Sequence, residues 1–233
     1  MTESNLSIQL QKPTQARKAY KYQEDSNINM LPGDPKGSPD DSFQEKTLIF
    51  IDAGFLSKLS RYFGKGKYLT YDIIDFSKNL CKKQNLNCEK IFYYTAPPYQ
   101  SYNPSQEEKR KKDNYDKFLD KLRERGVVVR EGRCQRLKID GKFIYKQKGV
   151  DILLTMDLMS IPLKYLKIKK IVLIASDSDF VSVINQLREL GLKIILYIYF
   201  TKRRNTNFSR STYLMNVVSW YIRLTKEDFD KAP

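Results

Sequence analysis

Short apolar runs alternate along most of the chain with segments whose apolar residues recur at helical spacing. Each run is continuous, which is typical of strands buried on both faces of a sheet. Helices that alternate with such strands predict an α/β fold, with a mostly parallel central sheet and helices on both of its faces. The predicted strands are residues 47–51, 91–95, 127–130, 170–176 and 193–200. The predicted helices are residues 72–84, 106–125, 150–159 and 179–190.

The pattern changes between residues 133 and 148. There, RLKI and KFIY flank Asp140-Gly141, a dipeptide that predicts a β-hairpin with a two-residue type I′ turn. This insertion is basic and also carries Phe143 and Tyr145. Its candidate contacts to a polyanion are Arg133, Arg136 and Lys148.

The ends of the chain differ from its middle. Residues 1–46 lack apolar periodicity and contain four prolines, so we expect an N-terminal extension without a stable fold. Residues 47–225 form the predicted domain, and residues 226–233 a C-terminal tail. No stretch approaches the ~20 apolar residues of a membrane span, and the N-terminus lacks the apolar segment of a signal peptide. We therefore expect a cytoplasmic protein without membrane contact.

The net charge of the chain indicates which classes of binding partner it favours. The formal net charge is +15, and residues 47–233 hold 36 basic and 20 acidic residues, so the excess belongs to the predicted domain. Such an excess attracts polyanions and favours nucleic acid or an anionic membrane, although a merely soluble lysine-rich surface has the same composition. The three cysteines form no C-x-x-C pair, which argues against a zinc site or a disulfide framework. Composition leaves the oligomeric state open, and a homodimer is compatible with it.

Acidic residues follow the predicted strands. Asp52 comes after the first strand, Asp177 and Asp179 come after the strand at 170–176, and Asp151 begins a predicted helix. Ligands in such sheets bind at the carboxyl ends of the strands. Carboxylates gathered there repel one another, and a hard cation such as Mg²⁺ or Mn²⁺, which prefers oxygen ligands, relieves that repulsion.

The chain has no histidine, and none of its cysteines is a plausible nucleophile, so metal-activated water is the expected nucleophile for phosphodiester cleavage. Asp157 lies six residues after Asp151 and is turned away from it on a helix, so we expect it in the second shell. Ser176 and Ser178 are second-shell candidates because their hydroxyls can hydrogen-bond ligand carboxylates.

Other interpretations of the same residues remain open at this point. Asp52, Asp151 and Asp177 can each be a helix or turn cap, and Asp179 then lies at the positive end of a helix. The Asp-x-Asp spacing of Asp177 and Asp179 also occurs in glycosyltransferases that hold Mn²⁺ against a nucleotide sugar. A nonenzymatic RNA-binding or scaffold module is the third alternative.

Three segments resemble the signature blocks of the NYN domain, in the LabA-like branch of the PIN-like nuclease superfamily. They are FIDAGFL (residues 50–56), KGVDILLTMD (148–157) and IASDSDFVSVINQLRELGLKIIL (174–196), and the resemblance covers residues 47–225. It implies a Rossmann-like PIN fold and Mg²⁺- or Mn²⁺-dependent cleavage, usually of RNA. It also implies an acidic centre with Asp157 in its outer shell, formed by Asp52, Asp151, Asp177 and Asp179.

The chain departs from that family in one position. Many relatives have Asn shortly after the first Asp, where this chain has Phe55. If that Asn helps to order the acidic centre, its replacement bears on rate or substrate choice.

A basic loop follows the last predicted strand, in the sequence TKRRNTNFSR (residues 201–210). Basic side chains contact phosphates, and Phe208 can stack on an unpaired base, so single-stranded RNA is the favoured partner. A solvated loop without a ligand is the alternative. The candidate phosphate contacts are Lys202, Arg203, Arg204 and Arg210.

Overall fold

Six strands lie side by side in one sheet, and every neighbouring pair is parallel. The computed structural model of the protein describes residues 44–201, 208 and 211–230. The strands are β1 (Glu45–Asp52), β2 (Leu86–Thr95), β3 (Val128–Glu131), β4 (Arg133–Ile139), β5 (Lys142–Lys148), β6 (Lys170–Ile174), β7 (Lys193–Ile198) and β8 (Trp220–Arg223). The helices are α1 (Ala53–Phe63), α2 (Ile73–Lys82), α3 (Gln106–Glu124), α4 (Val150–Lys164), α5 (Val181–Glu189), α6 (Thr212–Val217) and α7 (Lys226–Asp230).

The sheet has the order β3-β2-β1-β6-β7-β8, and β4 and β5 form a separate antiparallel hairpin. The chain builds outwards from β1 to β3, forms the hairpin, and returns to the other side of β1 with β6. The strand order therefore reverses between β1 and β6, where a crevice for ligands opens at the carboxyl ends of the strands. The predicted α/β class, with a parallel sheet and a hairpin insertion, is confirmed.

Alternating side chains of β1 supply both layers of the core. Leu48 and Phe50 pack on one face with residues of α4, α5 and α6. Ile49 and Ile51 pack on the other face with residues of α1, α2 and α3. All four side chains are fully buried, which explains why this strand has a continuous apolar run.

The hairpin ends in the predicted tight turn. Asp140 and Gly141 both have positive φ angles, 49° and 76°, as a type I′ turn requires. The side chains of β5 are all exposed, so the hairpin projects from the domain. At its base, the backbone N–H of Gly132 donates to the carbonyl of Thr95 at 2.8 Å and ties the hairpin to the end of β2.

The domain extends further at both ends than the sequence predicted. β1 begins at Glu45, inside the expected extension 1–46, of which residues 1–43 lie outside the described residues. The sequence predicted a C-terminal tail at residues 226–233, but residues 226–230 form α7. Phe229 is buried in the core, and Asp228 pairs with Lys83, so hydrophobic burial and an ion pair hold this helix. α1, α6, β8 and α7 were not predicted.

Within residues 44–201 and 211–230, no helix is long and apolar enough to cross a membrane.

Candidate functional site

Asp52 lies at the junction of β1 and α1. Its backbone has an extended conformation, and its Oδ1 accepts hydrogen bonds from the N–H groups of Gly54 at 2.9 Å and Phe55 at 3.2 Å. The cap interpretation is therefore correct for this residue. Both bonds go to Oδ1, so Oδ2 takes no part in these two hydrogen bonds.

Asp151 lies in the first turn of α4, the helix that directly follows the hairpin. The N-cap of α4 is Gly149, in a left-handed conformation, so Asp151 is not the cap. The preceding segment is fixed by a close backbone approach. A Cβ on Gly132 would lie 2.4 Å from the carbonyl oxygen of Lys148 and 2.8 Å from Cγ2 of Val150.

Asp177 and Asp179 follow β6 in a short 3-10 helix, Ser178–Phe180. The Asp177 carboxylate accepts a hydrogen bond from the N–H of Asp179 at 3.0 Å, and Asp177 is the N-cap. Phe180 is fully buried and anchors this turn in the core. The rigid end of β6 thus places the exposed Asp177 beside the carboxyl end of β1.

Three of the four predicted acids line one cavity of about 180 Å³, which we call the acidic cavity. It lies where the strand order reverses, between the ends of β1 and β6. Asp179 and Ser178 are not among its lining residues. The residues that line it are Asp52, Gly54, Phe55, Lys58, Gln147, Val150, Asp151, Ser176, Asp177 and Phe208.

The surroundings of Asp52 and Asp151 in the acidic cavity disfavour the ionised form of each carboxyl group. Burial, helped by the charge of Asp151, raises the pKa of Asp52 to about 6, against the opposing effect of the two amide hydrogen bonds. Burial also raises the pKa of Asp151, and the charges of Asp177 and Asp179 raise it further. Asp179 is therefore electrostatically part of the cluster although it does not line the cavity.

Lys58 and Gln147 also line the acidic cavity and were not predicted. The positive charge of Lys58 opposes the rise in the pKa of both Asp52 and Asp151. Gln147 projects from β5, and its Oε1 lies 3.2 Å from where a Cβ on Gly54 would be. Lys58 follows Asp52 on the same helix, a spacing that could have suggested it, whereas Gln147 arrives only through the tertiary fold.

Asp157 lies outside the acidic cavity. Its carboxylate accepts two hydrogen bonds from Arg130, from Nε and Nη2, each at 2.8 Å, and one from the hydroxyl of Tyr94 at 3.0 Å. Burial alone would raise the pKa of Asp157, but the Arg130 and Tyr94 hydrogen bonds hold it below its ordinary value. These contacts are those of an ion pair that joins α4 to β3, and they give Asp157 a structural role.

The donor set fits a hard cation, since carboxylates and the Ser176 hydroxyl supply only oxygen ligands. Among the residues that the structure describes, no three acidic or cysteine side chains are gathered closely enough to hold a metal ion. An ion here would therefore be held by one or two carboxylates, with waters and substrate phosphate as the remaining ligands, a common mode for Mg²⁺. The raised pKa values fit this arrangement because a nearby cation favours the ionised carboxylates.

The predicted basic residues fall into two groups. Arg133 and Lys148 are paired across the base of the hairpin, next to Gln147, and both are exposed. Arg136 places its guanidinium over the rings of Tyr99 and Phe143, at 4.7 and 4.6 Å from their centroids. The second group, Lys202, Arg203, Arg204 and Arg210, lies outside the described residues.

Phe208 is a wall of the acidic cavity rather than an exposed stacking platform. It is 7% exposed and contacts Tyr62 and Tyr199, with ring centroids 5.1 and 5.3 Å away. Phe55 is also buried in the core, and it contributes to the site through its backbone N–H. At this position, where many relatives have Asn, the carboxylate of Asp52 is therefore ordered by the main chain.

Comparison with known proteins agrees with this architecture. A family model described as NYN domain matches residues 46–223. No curated protein matches the chain. The crystal structure of a protein of unknown function from Vibrio parahaemolyticus is similar, with a TM-score of 0.52 and 17% identity over 83% of this chain and 99% of that chain. This last similarity concerns the fold alone.

Proposed function

Because this chain belongs to the NYN domain family, a PIN-like nuclease family, we propose that it is a divalent-metal-dependent ribonuclease. The observation that carries the proposal is the acidic cavity, which Asp52, Asp151 and Asp177 line together at the reversal of strand order. Family membership favours a nuclease over a glycosyltransferase for the same carboxylates. Assignment to the LabA-like branch stays a prediction.

One or two of the carboxylates of Asp52, Asp151 and Asp177 would hold Mg²⁺ or Mn²⁺, with Asp179 adding negative charge beside them. When bound, such an ion lowers the pKa of water and neutralises charge on the phosphate. Asp52 is held in place by two backbone N–H donors, so its Oδ2 is presented without rotamer freedom. Removal of a positioned carboxylate should therefore affect the reaction more than the fold.

Lys58 supplies the positive charge in a cavity that would otherwise repel phosphate. It is exposed and lies on α1, whose N-cap is Asp52. We assign it to binding of the phosphate next to the cleaved bond. Ser176 lines the same cavity and can donate its hydroxyl to a carboxylate or to substrate.

Single-stranded RNA is the substrate that we favour. The folded part of the chain carries the basic excess, and the exposed basic hairpin base adjoins the acidic cavity through Gln147. Unpaired strands expose bases for stacking as well as phosphates for charge contacts.

The test is cleavage of end-labelled single-stranded RNA and of matched DNA, with Mn²⁺ or with EDTA. We expect cleavage only with the metal, RNA preferred, and a rate at least about a hundredfold lower in Asp52→Asn and in Asp177→Asn. Asp113→Asn, which removes an exposed carboxylate from α3, is the control with the same change in charge. Wild-type rates in both cavity variants would show that the centre lies elsewhere.

A nonenzymatic RNA-binding module is the second candidate. Within the described part of the chain, no three acidic or cysteine side chains are close enough to hold an ion directly, and this observation favours the second candidate. Binding of RNA without cleavage under Mg²⁺ or Mn²⁺ would establish this alternative.

A further inference from the structure

A second and much larger cavity adjoins the acidic cavity. Its volume is about 970 Å³, at the upper end of the ~300–1,000 Å³ that small-molecule sites occupy. It lies along α1, the carboxyl end of β2, α3 and the hairpin. We call it the aromatic groove, because its lining includes Tyr68, Tyr71, Tyr93, Tyr115, Phe118 and Tyr145.

The rings of the aromatic groove fall into a fixed floor and an exposed rim. Tyr93 forms part of the floor and is packed against Phe118, with ring centroids 6.1 Å apart. At the rim, Tyr68 is 67% exposed and Tyr145 is 55% exposed. The Tyr145 ring contacts Tyr99 at 5.4 Å between centroids, and the Arg136 guanidinium lies over the Tyr99 ring. The exposed rings of Tyr68 and Tyr145 can stack on a flat ligand, as aromatic rings do on surfaces that bind single strands.

The aromatic groove and the acidic cavity are neighbours that share one lining residue. Gln147 lines both, and α1 forms a wall of both, with Ser57 in the groove and Lys58 in the acidic cavity. Lys111 and Lys146 line the groove together with Glu108, and Nζ of Lys111 lies 2.6 Å from Oε1 of Glu107. A ligand that spans the two sites must therefore combine negative charge at the acidic cavity, where a cation can hold it, with flat apolar groups in the groove.

We propose that the aromatic groove binds unpaired nucleobases of the single-stranded nucleic acid whose backbone passes the acidic cavity. This inference rests on the proposed function for its substrate class. Aromatic rings stack on any base, while Lys111 and Lys146 contact the backbone. A rigid duplex hides its base faces, so the groove selects single strands and sets the distance between the held base and the cleaved bond.

Binding of a fluorescently labelled single-stranded RNA of about eight nucleotides, within the ~4–16 nucleotides typical of such sites, tests the proposal. The full chain is used in EDTA, so that no cleavage occurs. We expect Tyr68→Leu and Tyr145→Leu each to weaken binding by about tenfold, with the slope of affinity against salt unchanged. Tyr221→Leu, on the edge strand β8, is the control, since Tyr221 is 40% exposed and does not line the groove.

Abasic oligonucleotides separate base binding from backbone binding. A single abasic position placed in turn along the RNA should weaken binding to the wild type at one or two positions. The same oligonucleotides should lose that position dependence with the Tyr68→Leu and Tyr145→Leu variants. Retention of wild-type affinity by both variants would overturn the assignment and leave the groove to another occupant, such as a peptide.

The outcomes for the two proposals are independent. Metal-dependent cleavage together with unchanged binding by both tyrosine variants would retain the proposed function and reject the base site. Position-dependent loss of binding, with no cleavage under any divalent cation, would retain the base site and reject the nuclease assignment.

Discussion

A single carboxylate, that of Asp52, has to be ionised in order to bind a cation although its surroundings disfavour the charge. Burial raises its pKa to about 6 from an ordinary value of 3.8. Between these two values the folded chain keeps a proton that the unfolded chain has lost, so folding stability falls as the pH rises through 6. Without metal, this costs on the order of 3 kcal/mol at neutral pH.

We predict that Mn²⁺ stabilises the protein more at pH 7.5 than at pH 5. At pH 5 a proton occupies Asp52 and competes with the ion. An ion at about 100 times its Kd adds ~2.7 kcal/mol, or roughly 5–10 °C in melting temperature. Differential scanning calorimetry with Mn²⁺ and with EDTA at both pH values measures this.

The variant Asp52→Asn should lose most of the metal-induced shift at pH 7.5 and should melt no lower than the wild type in EDTA. Equal shifts at the two pH values, or an undiminished shift in the variant, would contradict a role for Asp52 in metal binding.

Some site residues were predictable from the sequence and others were not. Asp52 and Asp177 directly follow buried apolar strands, and parallel strands bring their carboxyl ends to one edge. Asp157 was predicted to point away from Asp151, but its contacts with Arg130 depend on how α4 packs against β3, which no local pattern encodes. Gln147 was missed for the same reason, since the hairpin returns it to the site.

The hairpin is the element that lines both the aromatic groove, the proposed base-binding site, and the acidic cavity. Its base is fixed at Gly132, where the chain passes so close to Lys148 and Val150 that no side chain fits. The next residue after Val150 is Asp151. Any displacement at Gly132 is therefore transmitted within a few residues to a carboxylate of the site.

We predict that Gly132→Ala lowers both stability and activity. The new methyl group would lie 2.4 Å from the Lys148 carbonyl oxygen, so the backbone must move, at a cost of roughly 1–3 kcal/mol. Cleavage rate should fall more than this loss of stability explains, because Asp151 is shifted. Chemical denaturation and single-turnover cleavage below the unfolding transition measure the two effects.

Gly141→Ala is the matched control at the tip of the same hairpin. Its φ of 76° makes alanine strained, but no atom lies within 4 Å of the new Cβ. It should cost about 1 kcal/mol and leave the cleavage rate of folded protein unchanged. Equal rates for the two alanine variants would contradict the coupling of Gly132 to the site.

Sequence patterns located most elements but missed those with weak signals. The continuous apolar strands and the Asp140-Gly141 turn were predicted because their signals are local. β8 is an edge strand, with Trp220 and Tyr221 exposed, so it lacks a buried apolar run. α7 has five residues and is held in place by burial of Phe229, which is a tertiary contact.

At the scale of the whole molecule, the excess of basic over acidic residues can be traced to particular segments of the chain. The hairpin supplies Arg133, Arg136 and Lys148, and a second basic segment of the sequence, residues 202–210, lies almost wholly outside the described residues. If the proposed substrate is right, long-range attraction would bring RNA to the domain, while contacts at specific phosphates would set how strongly binding depends on salt.

We predict that neutralising either basic segment weakens RNA binding and flattens its salt dependence. Each phosphate contact to a single strand contributes ~0.7 to the slope of log K against log salt. Glutamine at Lys202, Arg203, Arg204 and Arg210 should reduce the slope by up to ~2.8, and glutamine at Arg133, Arg136 and Lys148 by up to ~2. Fluorescence anisotropy across a salt series measures the slopes.

The control variant replaces Lys109, Lys117 and Lys121 of α3, all exposed, with glutamine. This control changes the net charge as much as the hairpin variant does. If it reduced the slope of log K against log salt by a similar amount, the salt dependence of RNA binding would depend only on total charge. In neither basic variant should the cleavage rate at saturating RNA fall as far as the affinity.

The acidic cavity draws its walls from both halves of the sheet and from Phe208, close to the end of the described chain. During translation, a ribosome-bound chain that has emerged only as far as β3 has Asp52 but neither Asp151 nor Asp177. The acidic cavity is therefore complete only after nearly the whole domain has left the exit tunnel. If the proposed function is right, the nascent chain acquires activity towards RNA only at the end of the synthesis of the domain.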